Sequence, residues 1–352
     1  MRHGLKAEKA VRQPIEGPAN WTAESIFASP QWIHELNAAE LDEINAAVDH
    51  ARRNGCTIAT LEAKDFPLPT LGKVVAEARL LLEDGPGLYL LRGIPAEGFA
   101  KDDLRFIYWG IGKHLGTAVP QSADGDVLGD VRNIGLDRIY TSNKKGHFHC
   151  DLSDVVGLFV LRPAKSGGLT QVASSVAVHN EILRTRPDLL EVLYQPFHWS
   201  WLGMQPAGRD RSFSQPIFTE WRGKFSCSFI PALIRMAQAF PEVPRLTPAQ
   251  VEAMALIEAI SENERFHFAM RFEPGDLQFL NNHVCIHGRT AFDDFDELDR
   301  RRHLLRLWLA MPNSRELSPA RGEYWDTRSG ALRGGFGHGS KPIFETTGEL
   351  QS

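Results

Sequence analysis

Gly-His-Phe-His-Cys-Asp, residues 146–151, decides the fold and chemistry of this chain together with Asn-Asn-His-Val-Cys-Ile-His-Gly-Arg, residues 281–289. In an extended strand, residues i and i+2 point to the same side, so His149 and Asp151 can hold one metal ion together. A second histidine, His287, must then arrive from another strand, which a rolled sheet supplies. Two imidazoles and one carboxylate can occupy one face of an octahedral Fe²⁺ and leave three adjacent positions open. The pattern therefore predicts a metal centre with open positions between two strands.

Two other histidines compete for these positions. His147 lies two residues before His149, and a site built on that pair would indicate zinc or a cupin-like centre. Pairing His149 with Asp151 is favoured because it places a carboxylate on the same strand face. His283 and His287 would share one face of an unbroken strand. His287 is preferred because the glycine after it permits close backbone approach, and His283 is expected behind the ligands, facing the substrate, or packed in the core.

A basic segment is the third element of the predicted site. In a strand over Arg302-His-Leu-Leu-Arg306, the even positions share a face, so both guanidinium groups can point into one cavity. A buried cation is destabilising unless it meets an anion, and the forked guanidinium matches a carboxylate. The segment therefore predicts an acid-bearing small molecule near the metal. Thr170, which ends a Gly-Gly-Leu-Thr run, can add a hydrogen bond to that acid. Among the arginines at 300–302, the last is chosen because Leu-Leu-Arg follows it.

Composition and charge exclude several classes of protein. The chain has 352 residues, of which 43% are hydrophobic and 24% charged, as is typical of a globular protein with a large core. A formal net charge of −5 argues against a nucleic-acid partner. No apolar run is long enough to cross a membrane, and the polar N-terminus does not resemble a secretion signal. Four scattered cysteines fit a reducing cytoplasm. The sequence leaves a homo-oligomer open.

Apolar periodicity predicts one α+β domain built on a barrel. Residues 1–30 are expected to form an irregular arm and residues 320–352 a tail that either covers the pocket or lies on the surface. Helices are predicted near residues 41–55, 71–82, 102–115, 175–184 and 248–261. Strands are predicted at residues 87–92, 155–161, 169–173, 266–272, 277–286 and 303–311.

Several motifs in order along the chain resemble one known family. They are Gly-His-Phe-His-Cys-Asp, Arg-Pro-Ala-x-x-Gly-Gly-x-Thr, Pro-Gly-Asp-x-x-Phe-x-Asn-Asn-His, His-Gly-Arg-Thr-Ala-Phe and Arg-Arg-His-Leu-Leu-Arg-Leu-Trp-Leu. Together they are similar to the taurine dioxygenase-like (TauD/TfdA, clavaminate synthase-like) family of iron(II)/2-oxoglutarate oxygenases, over about residues 85–312. The resemblance implies a double-stranded β-helix, or jelly-roll, core with flanking helices and an inserted helical segment, forming a single catalytic domain.

The resemblance also implies roles for individual residues. Iron would be held by His149, Asp151 and His287. The co-substrate 2-oxoglutarate would chelate iron through its 2-oxo acid end, while its far carboxylate meets Arg302 and Thr170. A further arginine, Arg306, matches the family's second arginine, which commonly faces 2-oxoglutarate or the acidic group of the prime substrate.

The expected activity is dioxygen-dependent attack on a C–H bond of a small carboxylate-bearing, amino-acid-like substrate, with release of succinate and CO₂. Hydroxylation is the first expectation, because related halogenases lack the carboxylate that Asp151 supplies. The alternatives are oxidative cyclisation or desaturation at the same centre, a non-catalytic jelly-roll binding protein, and a zinc or manganese enzyme on the same barrel.

Overall fold

The computed structural model describes residues 12–135, 141–322, 324–337 and 340–344. Predictions that concern residues 1–11 or 345–352 lie outside the described residues. The helices are α1 (Ala23–Ala28), α2 (Ala38–Arg53), α3 (Leu71–Glu83), α4 (Lys101–Leu115), α5 (Ser175–Thr185), α6 (Pro187–Leu193), α7 (Pro231–Ala237) and α8 (Pro248–Ser261). The strands are β1 (Ile33–Glu35), β2 (Leu88–Arg92), β3 (Thr117–Ala118), β4 (Leu128–Val131), β5 (Gly146–His149), β6 (Val155–Arg162), β7 (Ser166–Gly167), β8 (Thr170–Ser174), β9 (Pro196–Ser200), β10 (Ser212–Pro216), β11 (Phe218–Trp221), β12 (Lys224–Cys227), β13 (His267–Met270), β14 (Leu277–Asn281), β15 (Cys285–Arg289), β16 (Phe292–Asp293) and β17 (His303–Ala310).

Two sheets form the barrel. The larger has seven strands in the order β1-β2-β14-β6-β17-β3, with β4 also paired to β17, and the smaller has four in the order β13-β8-β15-β5. Most neighbouring strands are distant in sequence and antiparallel, as in a chain that rolls up on itself. Side chains from both sheets line one central cavity. The predicted α+β class with a jelly-roll core is confirmed.

Strand β17 shows how the sequence assigns the two faces of the larger sheet. Leu305, Leu307 and Leu309 belong to the apolar cluster that joins this sheet to helices α2, α3 and α4. Leu304 and Arg306, at even positions, line the central cavity. The period of two therefore turns leucines outward under the helices and the arginine inward, as predicted.

The single strand predicted over residues 277–286 is wrong. The chain forms β14 and β15 there, one in each sheet. In the turn between them, the Asn281 side chain accepts a hydrogen bond from the His283 backbone N–H (2.8 Å) and the Asn281 carbonyl accepts one from Val284 (3.1 Å). The Asn-Asn pair at 281–282 marks this turn, because an asparagine side chain can end a strand by bonding to the nearby backbone. The strand predicted at 266–272 is also shorter, since β13 spans four residues.

All of the helices predicted from apolar periodicity are present, as α2, α3, α4, α5 and α8. Ser174 caps α5 by accepting a hydrogen bond from the Ala177 N–H (2.9 Å), and Thr247 forms the capping box that opens α8. Helix α2 begins before its predicted start because Asn37 and Glu40 form a reciprocal capping box.

The N-terminal arm is not irregular throughout, which corrects the prediction for residues 1–30. Helix α1 lies within it and starts at a capping box formed by Thr22 and Ser25. Trp21 and Ile26 are buried in the main apolar core. A helix of six residues is too short for apolar periodicity to reveal it.

The insertion between the strands of the smaller sheet is only partly helical. It contains α6, α7 and α8, but also two β-hairpins, β9–β10 and β11–β12. At the other end of the chain, residues 324–337 pack on the barrel, with Trp325, Arg333 and Phe336 buried. Within the described ranges, no helix combines the length and apolar character needed to cross a membrane.

Candidate active site

Strands β5 and β15 bring the three predicted metal ligands together. His149 and His287 are register partners across this strand pair, and their ring centroids lie 4.5 Å apart. Asp151 follows β5, and its Oδ2 lies 3.7 Å from Nε2 of His287. One donor atom from each of the three residues lies within 4.8 Å of the other two, and they are the single His/Cys/Asp/Glu group among the described residues that could hold a metal. This spacing allows one ion to contact all three.

The backbone around His149 fixes the orientation of its ring. Nδ1 of His149 donates a hydrogen bond to the carbonyl of His147 (2.8 Å), which leaves the lone pair of Nε2 free for a metal. The His147 side chain itself is exposed. Gly288 permits the close pairing of β15 with β5, since a Cβ there would lie 2.7 Å from the carbonyl oxygen of Gly146.

Burial and neighbouring charge set the protonation of the other two ligands. Burial, together with the nearby His149, lowers the pKa of His287 to about 3, so its ring is neutral and can donate an electron pair. Burial opposes ionisation of Asp151, but Arg306 and the two imidazoles outweigh it and lower the pKa of this carboxyl. Nη1 of Arg306 lies 3.6 Å from Oδ1 of Asp151. His287 therefore offers a neutral nitrogen and Asp151 a carboxylate oxygen, and with the ring of His149 they form a donor set that suits a divalent metal.

A cavity opens beside the triad. Its wall combines apolar side chains with three guanidinium groups and one hydroxyl. The lining residues are Val131, Gly146, His149, Asp151, Leu158, Thr170, Phe272, His287, Gly288, Arg289, Arg302, Leu304 and Arg306. All six residues predicted for metal or acid binding thus lie on one cavity.

Arg302 lines this cavity and forms no ion pair with any described residue. It is 4% exposed, and its Nη1 has no hydrogen-bond partner within the described part of the chain. Burial, followed by the nearby charge of Arg289, lowers the pKa of Arg302 to about 9. A buried guanidinium without a partner is costly, so this site fits a carboxylate-bearing ligand such as 2-oxoglutarate. The exposed Arg300 does not line the cavity.

Arg289 lines the cavity but was not predicted from the sequence. It lies two residues after His287 on β15, and its Nη2 donates to the carbonyls of Ser142 (3.0 Å) and Lys144. Burial lowers the pKa of Arg289 to about 10. Because residues i and i+2 of a strand share a face, Arg289 could have been predicted to lie on the same face as His287.

His283 lies away from the triad. It is 1% exposed, and its Nε2 lies 2.9 Å from Oδ1 of Asp154, a carboxylate that also accepts from Nε of Arg333 (2.8 Å). Of the three interpretations considered for this residue, packing in a buried polar cluster is the one that the structure supports.

The C-terminal segment packs against the chain just after Asp151. Tyr324 donates through its hydroxyl to the carbonyl of Leu152 (3.1 Å) or Gly335 (2.8 Å), and its ring stacks on Phe213 of the insertion at 5.4 Å. The Gly335 N–H donates to the carbonyl of Leu152 (2.7 Å). The tail therefore supports the metal-binding loop from outside, and its described residues are absent from the cavity wall.

Comparisons with known proteins agree with this geometry. Residues 53–308 match the family described as "Taurine catabolism dioxygenase TauD, TfdA family". The chain is 32% identical to FR-33289 synthase of Streptomyces rubellomurinus, over 87% of this chain and 93% of that protein. Asparagine oxygenase, solved with Fe(II), hydroxyasparagine and succinate, superposes with a TM-score of 0.62 at 18% identity, over 79% of this chain and 93% of the other. The oxygenase OrfP, solved with Fe and alpha-ketoglutaric acid, gives 0.59 at 16% over the same shares. The chain therefore belongs to the TauD/TfdA family of iron(II)- and 2-oxoglutarate-dependent oxygenases.

Proposed function

We propose that this protein is an oxygenase whose iron(II) is held by His149, Asp151 and His287 and whose co-substrate is 2-oxoglutarate. The observation that carries the proposal is a shared cavity: three metal-donor atoms lie within 4.8 Å of one another beside a buried arginine that lacks an anion. When bound together, iron, 2-oxoglutarate and dioxygen supply the oxidising power to attack an unactivated C–H bond, with release of succinate and CO₂.

The three ligands each have a distinct role in this proposal. His149 is oriented by its bond to the His147 carbonyl, so its Nε2 stays aimed at the metal. Asp151 contributes the negative charge, and the N–H of its own backbone donates to Oδ1 of Asn282 (2.9 Å), which anchors the loop. Asp151 and His287 are 7% and 8% exposed, so the protein keeps bulk water away from this side of the centre.

The guanidinium groups bind the acids. Arg302 meets the far carboxylate of 2-oxoglutarate through its unpaired Nη1, and the Thr170 hydroxyl adds a second donor from the facing sheet. Arg306 is held by Gln121, whose Oε1 accepts from its Nε (2.6 Å). From there, Arg306 faces Asp151 and the open cavity, where it can bind an acidic group of the prime substrate.

The prime substrate is a small carboxylate-bearing molecule of amino-acid type. Three arginines line the cavity against one carboxylate, Asp151, and that carboxylate is committed to the metal. The excess positive charge favours a second acid beside 2-oxoglutarate. Two solved relatives in fold carry hydroxylated amino acids, one hydroxyasparagine and the other hydroxyarginine. We take hydroxylation as the outcome, because the metal-bound carboxylate is present.

The test is succinate formation from 2-oxoglutarate after oxygen is admitted to an anaerobic mixture of enzyme, Fe(II) and candidate amino acids or their derivatives. We expect at least one acid to raise succinate release above the substrate-free rate, and its product to gain one oxygen atom by mass spectrometry. A product that has instead lost two hydrogens would indicate desaturation or cyclisation. Oxygen uptake that is equal with Fe(II), Zn(II) and no metal would contradict the proposal.

A further inference from the structure

Gln278 lies behind Thr170, whose side chain lines the cavity. It lies on β14, in register with Leu158 of β6, which itself pairs with Arg306 of β17. Leu158 and Arg306 line the cavity, so the Gln278 side chain belongs to the inward row of the larger sheet. The residue is 1% exposed. Its amide is therefore a polar group buried inside the barrel.

The buried amide bonds to Thr170 across the two sheets. Oγ1 of Thr170 donates to Oε1 of Gln278 over 3.1 Å. The other end of the amide, Nε2 of Gln278, is buried and has no hydrogen-bond partner among the described residues. An unpaired buried N–H group costs free energy, so this arrangement leaves an unused donor beside the ligand cavity.

Thr170 has one hydroxyl hydrogen, so it cannot donate to Gln278 and to a bound carboxylate at the same time. A half-turn of the Gln278 amide exchanges Oε1 and Nε2. Nε2 then donates to Oγ1 of Thr170, and the hydroxyl hydrogen is free to point into the cavity. The turn gives Nε2 a partner, leaves Oε1 of Gln278 without one, and frees a hydroxyl donor in the cavity that Arg302 also lines.

We propose that Gln278 is a positioning residue for the co-substrate: its turned amide directs the Thr170 hydroxyl at the far carboxylate of 2-oxoglutarate. The inference rests on the proposed function, since it needs that carboxylate at Arg302. Gln278 acts through Thr170 and does not itself line the cavity. It therefore affects only ligands that carry the far carboxylate.

The experiment is anaerobic calorimetric titration of the Fe(II)-loaded protein with two probes, 2-oxoglutarate and 2-oxovalerate. The second has the same chain length and the same chelating end but no far carboxylate. We expect Gln278→Glu, which when ionised can only accept from Thr170 and so keeps the hydroxyl hydrogen away from the cavity, to weaken 2-oxoglutarate binding about tenfold, the scale of one hydrogen bond to a charged group, and to leave 2-oxovalerate binding unchanged. Gln278→Met removes the competing acceptor together with the directing donor, so it should weaken 2-oxoglutarate binding less than Gln278→Glu does.

Thr170 supplies the matched controls. Thr170→Val should reproduce the loss, Thr170→Ser should retain binding, and the Gln278→Glu/Thr170→Val double variant should bind no worse than Thr170→Val, because both changes remove one interaction. If Gln278→Glu binds 2-oxoglutarate as tightly as the wild type, or loses both probes equally, the inference is overturned. If the wild type binds 2-oxoglutarate no better than 2-oxovalerate, the proposed function fails first.

Discussion

Two buried clusters of histidine, aspartate and arginine lie close together in this barrel, and they differ in how fully they are paired. In the first, the paired cluster, Asp154 accepts from His283 (2.9 Å), Arg333 (2.8 Å) and the backbone N–H of Met311 (3.0 Å). The guanidinium of Arg333 also donates to the carbonyl of Arg315 (2.7 Å). Every polar group named here has a partner, so the cluster joins the C-terminal segment to the core.

The second, the open cluster, consists of His149, Asp151, His287, Arg302 and Arg306. Its triad atoms approach one another without a hydrogen bond between them, and within the described ranges Nδ1 of His287 and Nη1 of Arg302 have no partner. The same residue types thus stabilise the fold where they pair with one another, and they form a candidate ligand site where one nitrogen of His287 and one of Arg302 have no partner among the described residues. Burial alone would not separate the two, since it lowers the pKa of both His283 and His287 to about 3.

Removing the carboxylate of the open cluster and that of the paired cluster should have the most different effects on turnover and stability. Asp151→Ala should reduce substrate-dependent succinate release on the order of a thousandfold, because the metal loses its anionic ligand. Its thermal unfolding midpoint should fall less than that of Asp154→Asn. Retained turnover in Asp151→Ala would remove this residue from the metal centre.

Asp154→Asn is expected to act on stability instead. It leaves the Arg333 guanidinium buried without its anion, so the free energy of unfolding in urea should fall by about 3–5 kcal/mol. The protein that remains folded should release succinate at the wild-type rate. If Asp154→Asn has normal stability but has lost turnover, the paired cluster takes part in catalysis and the distinction between the two clusters is wrong.

Arg302→Met tests the unpaired cation. We expect the KM for 2-oxoglutarate to rise about 30-fold or more, the scale of a lost charge-assisted hydrogen bond, without loss of thermal stability. Arg300→Met, at the neighbouring exposed position, is the matched control and should leave the KM unchanged. Equal effects of the two substitutions would mean that the charge acts from a distance.

His147→Ala should have the smallest effect. Only the backbone carbonyl of His147 contacts His149, and the exposed side chain can be removed without disturbing that bond. Turnover should stay within about twofold of the wild type, since exposed substitutions away from special features usually cost less than ~0.5 kcal/mol. Loss of iron on this substitution would favour the histidine-pair site.

Patterns within one strand were enough to predict much of the cavity wall. The i, i+2 spacing predicts His149 and Asp151 at one centre, and the even positions predict Arg302 and Arg306 inside, although Asp151 lies just after β5 and Arg302 just before β17. The barrel came from the resemblance of motifs spread over the chain rather than from strand periodicity. These motifs were informative because they lie far apart in the sequence, and two of the strands that carry them, β5 and β15, are register partners in the fold.

Features that depend on side chains turning back on their own backbone could not be predicted in this way. The turn after Asn281 separates β14 from β15 and carries His283 to Asp154, which a period of two does not predict. Arg289 was not predicted, because strand alternation was applied to residues 281–289 only as far as His287. The Gln278–Thr170 bond joins the two sheets, so it becomes apparent only once both are in place.

The most direct test is anaerobic calorimetric titration of Fe(II) into the wild type, Asp151→Ala and Asp154→Asn. We expect the wild type and Asp154→Asn each to bind one equivalent of iron, and Asp151→Ala to bind none over the same concentration range. Iron binding that is equal in the wild type and Asp151→Ala, or absent from the wild type, would contradict the assignment of the open cluster as the metal centre.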